Sequence, residues 1–156
     1  MSTAAVDLRD GDVRDLERVD KIMADAFDPR WGEAWTHNQV IGILALPGVW
    51  LTIAELNGKP VGFALARGVL DEAELLLLAV VPDARRRGVG SALLRSVIAD
   101  SAARNMAALH LEVREGNDAI KLYKSAGFLK VGERRDYYRG HNGQSYSALT
   151  LHRSTR

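Results

Sequence analysis

The stretch that decides the fold runs from Leu75 to Arg104 and reads LLLLAVVPDARRRGVGSALLRSVIADSAAR. Its first part, Leu75 to Val81, is an apolar run too short for a membrane span, so it predicts a central strand buried on both faces. Pro82 and Asp83 end that strand. From Gly90 onward, apolar residues recur at the spacing of a helix that packs one face on the sheet: Leu93, Leu94, Val97, Ile98 and Ala102.

The turn between strand and helix, Arg85-Arg86-Arg87-Gly88-Val89-Gly90-Ser91, predicts an anion site. Two glycines let the backbone N–H groups approach an anion closely and adopt positive φ. The helix start adds unpaired donors and the positive end of the helix dipole. A dinucleotide fingerprint would need a third glycine where Leu93 stands, and a P-loop would need Gly-Lys-Ser/Thr, so neither fits. On the glycine pattern alone, a solvated basic turn before an ordinary helix stays the alternative.

Together with Leu78-Ala79-Val80, this turn resembles the acyl-CoA-binding motif of the GNAT superfamily of N-acyltransferases. Segments Leu109 to Arg114, Asn117 and Ala119 to Phe128 are similar to the second half of that fold. Arg134 to Tyr138 and Asp71 to Ala73 look most like its ribosomal-protein alanine N-acetyltransferase (RimI) branch. The resemblance covers Val6 to Leu151. It implies the GNAT fold, of the α/β (α+β) class, with a mixed, mostly antiparallel central sheet of about six to seven strands flanked by helices.

The resemblance also implies roles for individual residues. Glu112 matches the proposed base of the family, and Tyr123 matches its general acid. The alternatives are an exposed strand residue for Glu112 and a core tyrosine for Tyr123. The oxyanion is assigned to a backbone N–H around Val80, where a bulge would splay the sheet. Contacts with acetyl-CoA are expected from the strand end, the turn and a later loop: Leu78, Ala79, Val80, Arg85, Arg86, Arg87, Gly88, Val89, Gly90, Ser91 and Asn117.

The loop before the last helix departs from the RimI pattern. Only Asp118 separates Asn117 from Ala119, one residue fewer than RimI-like sequences generally have. Glu112 and Tyr123 are each anchored by clear flanking sequence. The shortening therefore bears mainly on the contact between Asn117 and CoA.

The implied reaction transfers an acetyl group from acetyl-CoA to a primary amine by direct attack in a ternary complex. An α-amino group has a pKa near 8 and a lysine one near 10.4, so a single carboxylate base is better matched to an N-terminus. The acceptor we expect is the N-terminal alanine of a ribosomal protein, held in an extended conformation by Trp31, Trp35, Tyr137 and Tyr138. The two tryptophans could instead be packed anchors. A lysine, polyamine or aminoglycoside acceptor, or a CoA-binding regulatory module without catalysis, are the other functions considered.

Composition agrees with one compact enzyme domain spanning 1–156. The chain has 156 residues, of which 47% are hydrophobic, enough for a substantial core. A net charge of +1 gives no reason to expect nucleic acid or a membrane as partner. The absence of cysteine excludes a thiolate nucleophile. The four histidines have no spacing that suggests a metal site. We expect a cytoplasmic protein, a monomer or weak dimer, with no metal.

The remaining elements follow from local signals. We expect a first strand at Val6 to Leu8 and a helix whose inner stripe is Val13, Leu16, Val19, Met23 and Phe27. Thr36 and Gln39 predict a capping box, and Asn57-Gly58 a hairpin between Trp50 to Glu55 and Val61 to Val69. A strand at Ala108 to Val113, a helix from Asp118 to Ala126 ended by Gly127, and a hairpin around His141 to Gln144 complete the chain.

Overall fold

A computed structural model describes residues 5–156, whose seven strands form one sheet in the order β1-β2-β3-β4-β5-β7-β6. The strands are β1 (Val6–Gly11), β2 (Val49–Leu56), β3 (Lys59–Val69), β4 (Glu72–Val80), β5 (Ala108–Arg114), β6 (Leu129–Arg139) and β7 (Ser145–Ser154). The α-helices are α1 (Leu16–Ala26), α2 (His37–Leu44), α3 (Val89–Ala103) and α4 (Ala119–Ser125). Neighbouring strands are antiparallel, apart from the parallel pair β4 and β5. The predicted mixed, mostly antiparallel sheet flanked by helices is therefore confirmed.

Local signals in the sequence place most element ends correctly. The hydroxyl of Thr36 accepts a hydrogen bond from the Gln39 N–H, and the Gln39 side chain accepts one from the Thr36 N–H, which is the predicted capping box at the start of α2. Asn57-Gly58 forms the turn between β2 and β3, and Gly127 follows α4. The last hairpin joins β6 to β7 through the predicted turn.

The sheet buries an apolar core on each face. The core under α3 and α4 includes Leu93, Leu94, Leu111 and Phe128, all nearly inaccessible to water. The core under α1 and α2 includes Val19, Ile53 and Phe63. Burying apolar surface on both faces is the main stabilising contribution to such a layered fold. Because both faces are packed, the middle of the sheet is also a rigid support for the side chains at its edges.

A bulge at Leu76 shifts β4 against β3. Leu65 pairs with Leu77, while its neighbour Ala66 pairs with Leu75, so Leu76 is the extra residue. Because side chains alternate along a strand, the extra residue reverses which face each later side chain covers. Ala73 and Leu75 pack under α3, whereas Leu77 packs under α1. Four consecutive leucines tolerate this reversal, since both faces are apolar.

Two predicted helix stripes are wrong in part. Val13 is 62% exposed and lies in a 3-10 turn before α1, while Ile22 joins Val19 and Met23 in the core. In α3 the buried residue of the last turn is Ser101 rather than Ala102. The Ser101 hydroxyl donates a hydrogen bond to the Val97 carbonyl oxygen at 2.7 Å, so it has a partner inside the core. A serine can therefore take a core position that hydrophobicity alone would assign to its neighbour.

Candidate functional site

The two parallel strands at the centre of the sheet separate halfway along their length. β4 pairs with β5 from Glu72 opposite Ala108 to Leu75 opposite Leu111, and no further pairing joins the two strands within residues 5–156. From Leu76 to Val80, β4 is paired through β3 alone. The separation begins at the bulge, four residues before the position at which we expected it from the sequence. It leaves a wedge-shaped gap between the end of β4 and Glu112 on β5.

The Val80 backbone faces this gap. Val81 donates its N–H to the Val61 carbonyl oxygen near β3 at 2.9 Å. Successive backbone groups of a strand point to opposite edges, so the Val80 N–H and carbonyl point away from β3. The Val80 carbonyl indeed accepts a hydrogen bond from Arg85 Nε, at 3.3 Å. The Val80 N–H is therefore directed into the gap, where a carbonyl oxygen could accept from it.

The basic turn leads directly into α3. Gly88 is the residue that caps the helix, and it has φ +79, a left-handed conformation that favours glycine. Because glycine has no side chain to accept their hydrogen bonds, the first N–H groups of α3 are available to an anion. Gly90 lies inside the first helical turn with negative φ, so only Gly88 requires positive φ. A Cβ on Gly90 would lie 3.4 Å from Leu122 Cδ2, an ordinary contact.

The three arginines of the turn have different surroundings. Arg85 is held by the protein backbone, because it donates to the carbonyl oxygens of Val80 and of Ala26 at the end of α1, the latter at 2.6 Å. Arg86 and Arg87 extend from the exposed surface of the turn, and Arg86 has φ +65. Arg85 thus ties the turn to α1, while its two neighbours are placed to meet an anion in solvent.

Glu112 extends from β5 at the edge of the gap. Its side chain is 19% exposed, and Nη1 of Arg134 on β6 lies 2.9 Å and 3.2 Å from its two carboxylate oxygens. Arg134 is 58% exposed, so it can leave the carboxylate without unpacking the core. A second carboxyl group, Glu74, lies on the neighbouring strand beside His110, with 3.8 Å between Nε2 and Oε2. Burial raises the pKa of Glu74, opposed by the charge of His110 and reinforced by that of Glu112.

Tyr123 lies on α4 and is buried in the core under α3 and α4. Its ring packs edge to face on Phe128, with 5.9 Å between ring centroids. Burial raises the pKa of Tyr123 well above its usual value, and the negative charge of Glu33 adds to the effect. A phenol with a raised pKa keeps its proton at neutral pH, and the raised pKa also makes it a weaker acid. Tyr123 is thus a protonated core tyrosine, and its role as an acid stays a prediction.

The segment between α1 and α2, residues 28–36, touches the end of β6 and the turn that follows it, and is called the acceptor loop below. Trp31 stacks under the Arg114 guanidinium, 4.0 Å from its ring centroid, and meets Tyr146 edge to face at 5.1 Å. Trp35 instead packs against the core under α1 and α2. The two tryptophans therefore diverge: Trp31 packs on Arg114 and Tyr146, and Trp35 is partly buried against the core.

Tyr137 and Tyr138 project from an irregular part of β6. Arg134 pairs with Ala148 and Tyr138 with Tyr146, so three residues of β6 oppose a single residue of β7. Asp136, inside this bulge, has φ +53. The tyrosine rings meet edge to face at 5.0 Å, and Arg134 stacks on Tyr137. Burial raises the pKa of Tyr138, as do the charges of Glu33, Tyr137 and Glu112. Arg134 thus contacts both Tyr137 and Glu112, and Tyr137 contacts Tyr138.

Asn117 has two partners within the protein. Its Oδ1 accepts from the Ala119 N–H at 2.8 Å, and its Nδ2 donates to Glu33 Oε2 at 2.7 Å. It therefore caps the start of α4 and holds the acceptor loop. Glu33 and Arg114 also form an ion pair, 3.2 Å between Nε and Oε1. Sequence reasoning missed Glu33, because its partners lie 81 and 84 residues away.

Residues 5–156 contain no cluster of three or more histidine, aspartate or glutamate side chains that could hold a metal ion. No helix among them has the length and apolar character to cross a membrane.

Comparison with known proteins agrees with this geometry. The profile of the Acetyltransferase (GNAT) family matches residues 16–128. The [Ribosomal protein bS18]-alanine N-acetyltransferase of Escherichia coli K12 is 49% identical over 83 residues, a match that spans 53% of this chain and 56% of the relative. The N-alpha-acetyltransferase RimI of Mycobacterium tuberculosis H37Rv is 35% identical over 140 residues, covering 85% of this chain and 84% of that protein.

A solved structure is similar over nearly the whole chain. The crystal structure of the ribosomal-protein-S18-alanine N-acetyltransferase from Escherichia coli superposes with a TM-score of 0.87 at 32% identity, covering 97% of this chain and 94% of that one. The resemblance to the RimI branch noted in the sequence is therefore confirmed. With its profile match, its relatives and its sheet divided at β4 and β5, this chain belongs to the GNAT family of acetyltransferases.

Proposed function

We propose that this protein transfers an acetyl group from acetyl-CoA to the α-amine of the N-terminal alanine of a ribosomal protein. One observation carries the proposal: the separation of β4 from β5 brings three groups around a single gap, namely the Val80 N–H, the Glu112 carboxylate and the uncapped start of α3. The names of the E. coli and M. tuberculosis relatives support the acceptor.

The cosubstrate would bind along β4 and at the basic turn. In this proposal the pyrophosphate accepts from the first N–H groups of α3, with Arg86 and Arg87 adding charge-assisted contacts. Arg85 serves instead as a brace, since its Nε and Nη2 donate to the backbone oxygens of Val80 and Ala26. Asn117 would likewise act mainly by capping α4 and holding Glu33. Glycine at position 90 leaves room for the anion beside the helix start.

The acyl transfer needs a neutral amine, a stabilised oxyanion and a proton for the leaving thiolate. Glu112, directly or through a water molecule, takes a proton from the ammonium group of the acceptor. The nitrogen lone pair then attacks the thioester carbonyl carbon, and the Val80 N–H stabilises the oxygen that becomes negative. Collapse breaks the carbon–sulfur bond and passes the Tyr123 proton to the departing thiolate. The second proton of the amine nitrogen is released as the amide forms and returns to Tyr123 through solvent, and Glu112 gives the first proton to solvent. The acceptor ammonium thus loses two protons, one ending on the CoA thiol and one in water.

The acceptor would lie between the acceptor loop and the irregular part of β6. Trp31, Tyr137 and Tyr138 supply aromatic surface for an extended peptide. An apolar cavity of about 250 Å³ between α1 and the loop can take a side chain, and it is lined by Met23, Ala24, Phe27, Pro29, Gly32, Glu33, Ala34 and His141. Trp35 has no direct part in this proposal, because it packs in the core.

The test offers the protein one peptide that carries both a free N-terminal alanine and an internal lysine, together with acetyl-CoA. Fragmentation mass spectrometry then locates the acetyl group. At pH 7 a lysine is neutral about 250 times less often than an α-amine, so we expect the modification at the N-terminus. Predominant acetylation of the lysine would replace this acceptor by a side-chain amine, and no transfer to either amine would favour a CoA-binding module without catalysis.

A further inference from the structure

The acceptor loop is fastened to the catalytic half of the protein through one carboxylate. Glu33 binds Arg114 at the end of β5 and Asn117 before α4, one carboxylate oxygen to each, at 3.2 Å and 2.7 Å. Glu33 and Arg114 are 10% and 9% exposed, so this pair is buried. Breaking a buried ion pair on one side leaves a charge without a partner, which is strongly unfavourable. A buried carboxylate with two partners therefore holds three segments in one arrangement.

The loop is also interlocked with the hairpin of β6 and β7. A Cβ on Gly32 would collide with the Arg139 carbonyl oxygen, and one on Gly140 with that of Arg30, so the two backbones touch where they cross. The His141 N–H donates to the Pro29 carbonyl oxygen at 3.3 Å. Because the hairpin bears Tyr137 and Tyr138, a shift of the acceptor loop would move the aromatic wall as well.

The position of Glu33 links it to both proposed catalytic groups without contact with the thioester. Arg114 follows Glu112 by two residues on β5, so the two side chains share a face and start roughly 7 Å apart. Asn117 caps α4, the helix that carries Tyr123. The negative charge of Glu33 also helps to raise the pKa of Tyr123 and that of Tyr138. Glu33 thus contacts Arg114 on β5, the strand that carries Glu112, and Asn117 before α4, the helix that carries Tyr123.

We propose that Glu33 is a positioning residue, a latch that aligns the acceptor loop with β5 and α4. This inference rests on the proposed function, because its consequence for turnover requires acetyl transfer to a peptide. While Glu33 is bound to Arg114 and Asn117, the acceptor loop keeps a fixed position relative to Glu112 and Tyr123. When the latch is open, acetyl-CoA still binds at α3, but the acceptor is no longer held against the base.

The test compares Glu33→Gln and Glu33→Ala with a matched control, Asp15→Asn. Asp15 is likewise a buried carboxylate that accepts from an arginine, Arg9 at 2.8 Å, and from a backbone N–H, that of Asp12 at 3.1 Å. It lies at the start of α1, away from the gap, so the variant removes the charge of a buried carboxylate, whose arginine partners Arg9 and Arg18 are more exposed than Arg114, without touching Glu33. Glutamine keeps the shape of the side chain and one acceptor oxygen, so Glu33→Gln should lower the rate of peptide acetylation less than Glu33→Ala.

Two measurements are made on each variant. Steady-state kinetics should show kcat/KM for the acceptor peptide lowered on the order of 10²-fold in Glu33→Ala, with KM for acetyl-CoA changed less than about twofold. Limited trypsin digestion should cleave faster after the exposed Arg30 in both Glu33 variants, because release of the loop exposes that bond. Asp15→Asn should leave both the peptide kinetics and the Arg30 cleavage rate at wild-type values.

The outcomes separate the latch from the proposed function. Equal losses in acceptor and acetyl-CoA parameters, or equal losses in Asp15→Asn, would reduce Glu33 to a general structural residue and overturn the inference. Unchanged cleavage after Arg30 in both Glu33 variants would also overturn it. If the wild-type protein acetylates no peptide, the proposed function fails, and the digestion still decides whether Glu33 holds the loop.

Discussion

The two glycines of the basic turn should respond in opposite ways to the same substitution. Gly88→Ala places a side chain on a residue with φ +79, although its Cβ would meet no other atom within 4 Å. The cost is therefore backbone strain alone, about 1–2 kcal/mol for a left-handed residue. For a chain of this size, each kcal/mol lowers the melting temperature by about 2–4 °C. We expect Gly88→Ala to melt about 2–8 °C below wild type without ligand.

Gly90→Ala should keep or raise the stability of the free protein. Its Cβ would lie 3.4 Å from Leu122 Cδ2, which is ordinary van der Waals contact. Alanine is also favoured over glycine inside a helix, by up to about 1 kcal/mol. The added methyl group, however, would lie beside Leu122 and Val80 in the first turn of α3, the turn to which we assign the pyrophosphate. Gly90→Ala therefore separates the stability of the fold from the binding of the ligand.

The assay is a thermal melt with and without acetyl-CoA. A ligand at about 100 times its Kd stabilises the folded state by about 2.7 kcal/mol, so the wild-type melting temperature should rise by about 5–11 °C. We expect that rise to fall by more than half in Gly90→Ala. The control is Gly58→Ala in the β2–β3 turn, at φ +76 with open space around its Cβ. It should lose stability like Gly88→Ala and keep the full rise.

One result would refute the placement of the anion at α3. If Gly90→Ala folds normally and shows the complete wild-type rise, the methyl group is not in the path of the ligand, and the pyrophosphate must bind elsewhere. If instead Gly58→Ala also loses the rise, the assay reports general destabilisation rather than binding.

Three further outcomes are expected at the catalytic groups. Glu112→Gln should lower kcat by about 10²–10⁴-fold while the acetyl-CoA-dependent rise in melting temperature persists, and near-normal turnover would remove Glu112 as the base. Tyr123→Phe should lower kcat in the same way. It should also flatten the pH dependence of stability above about pH 10, because a tyrosine whose pKa is raised in the folded state loses its stabilising contribution as pH rises past the pKa of the unfolded chain. An unchanged slope in denaturant titrations at pH 9–11 would contradict that cause. Arg134→Gln should free the Glu112 carboxylate and alter KM for the acceptor peptide, with little effect on KM for acetyl-CoA, measured by steady-state kinetics.

Patterns within short windows allowed most of the fold to be predicted, whereas the predicted site residues stay predictions. The capping box at Thr36, the Asn57-Gly58 turn and the strand–turn–helix from Leu75 to Arg104 each depend on neighbours a few residues apart. The same holds for the basic turn, because the donors of an anion site at a helix start are consecutive backbone groups. The catalytic roles of Glu112 and Tyr123 came from family resemblance and stay predictions.

What the sequence determined by itself is the set of elements, their order and the chemistry of the turn, since helical spacing, strand alternation and turn residues are local properties of the chain. Tertiary structure alone decided where β4 separates from β5, because a bulge within four consecutive leucines does not change the hydrophobic pattern of the sequence. It alone decided that Trp31 packs on Arg114 while Trp35 packs against the core under α1 and α2. It alone brought Glu33 to Arg114 and Asn117, since a buried ion pair forms wherever folding places two charges together, whatever the length of chain between them.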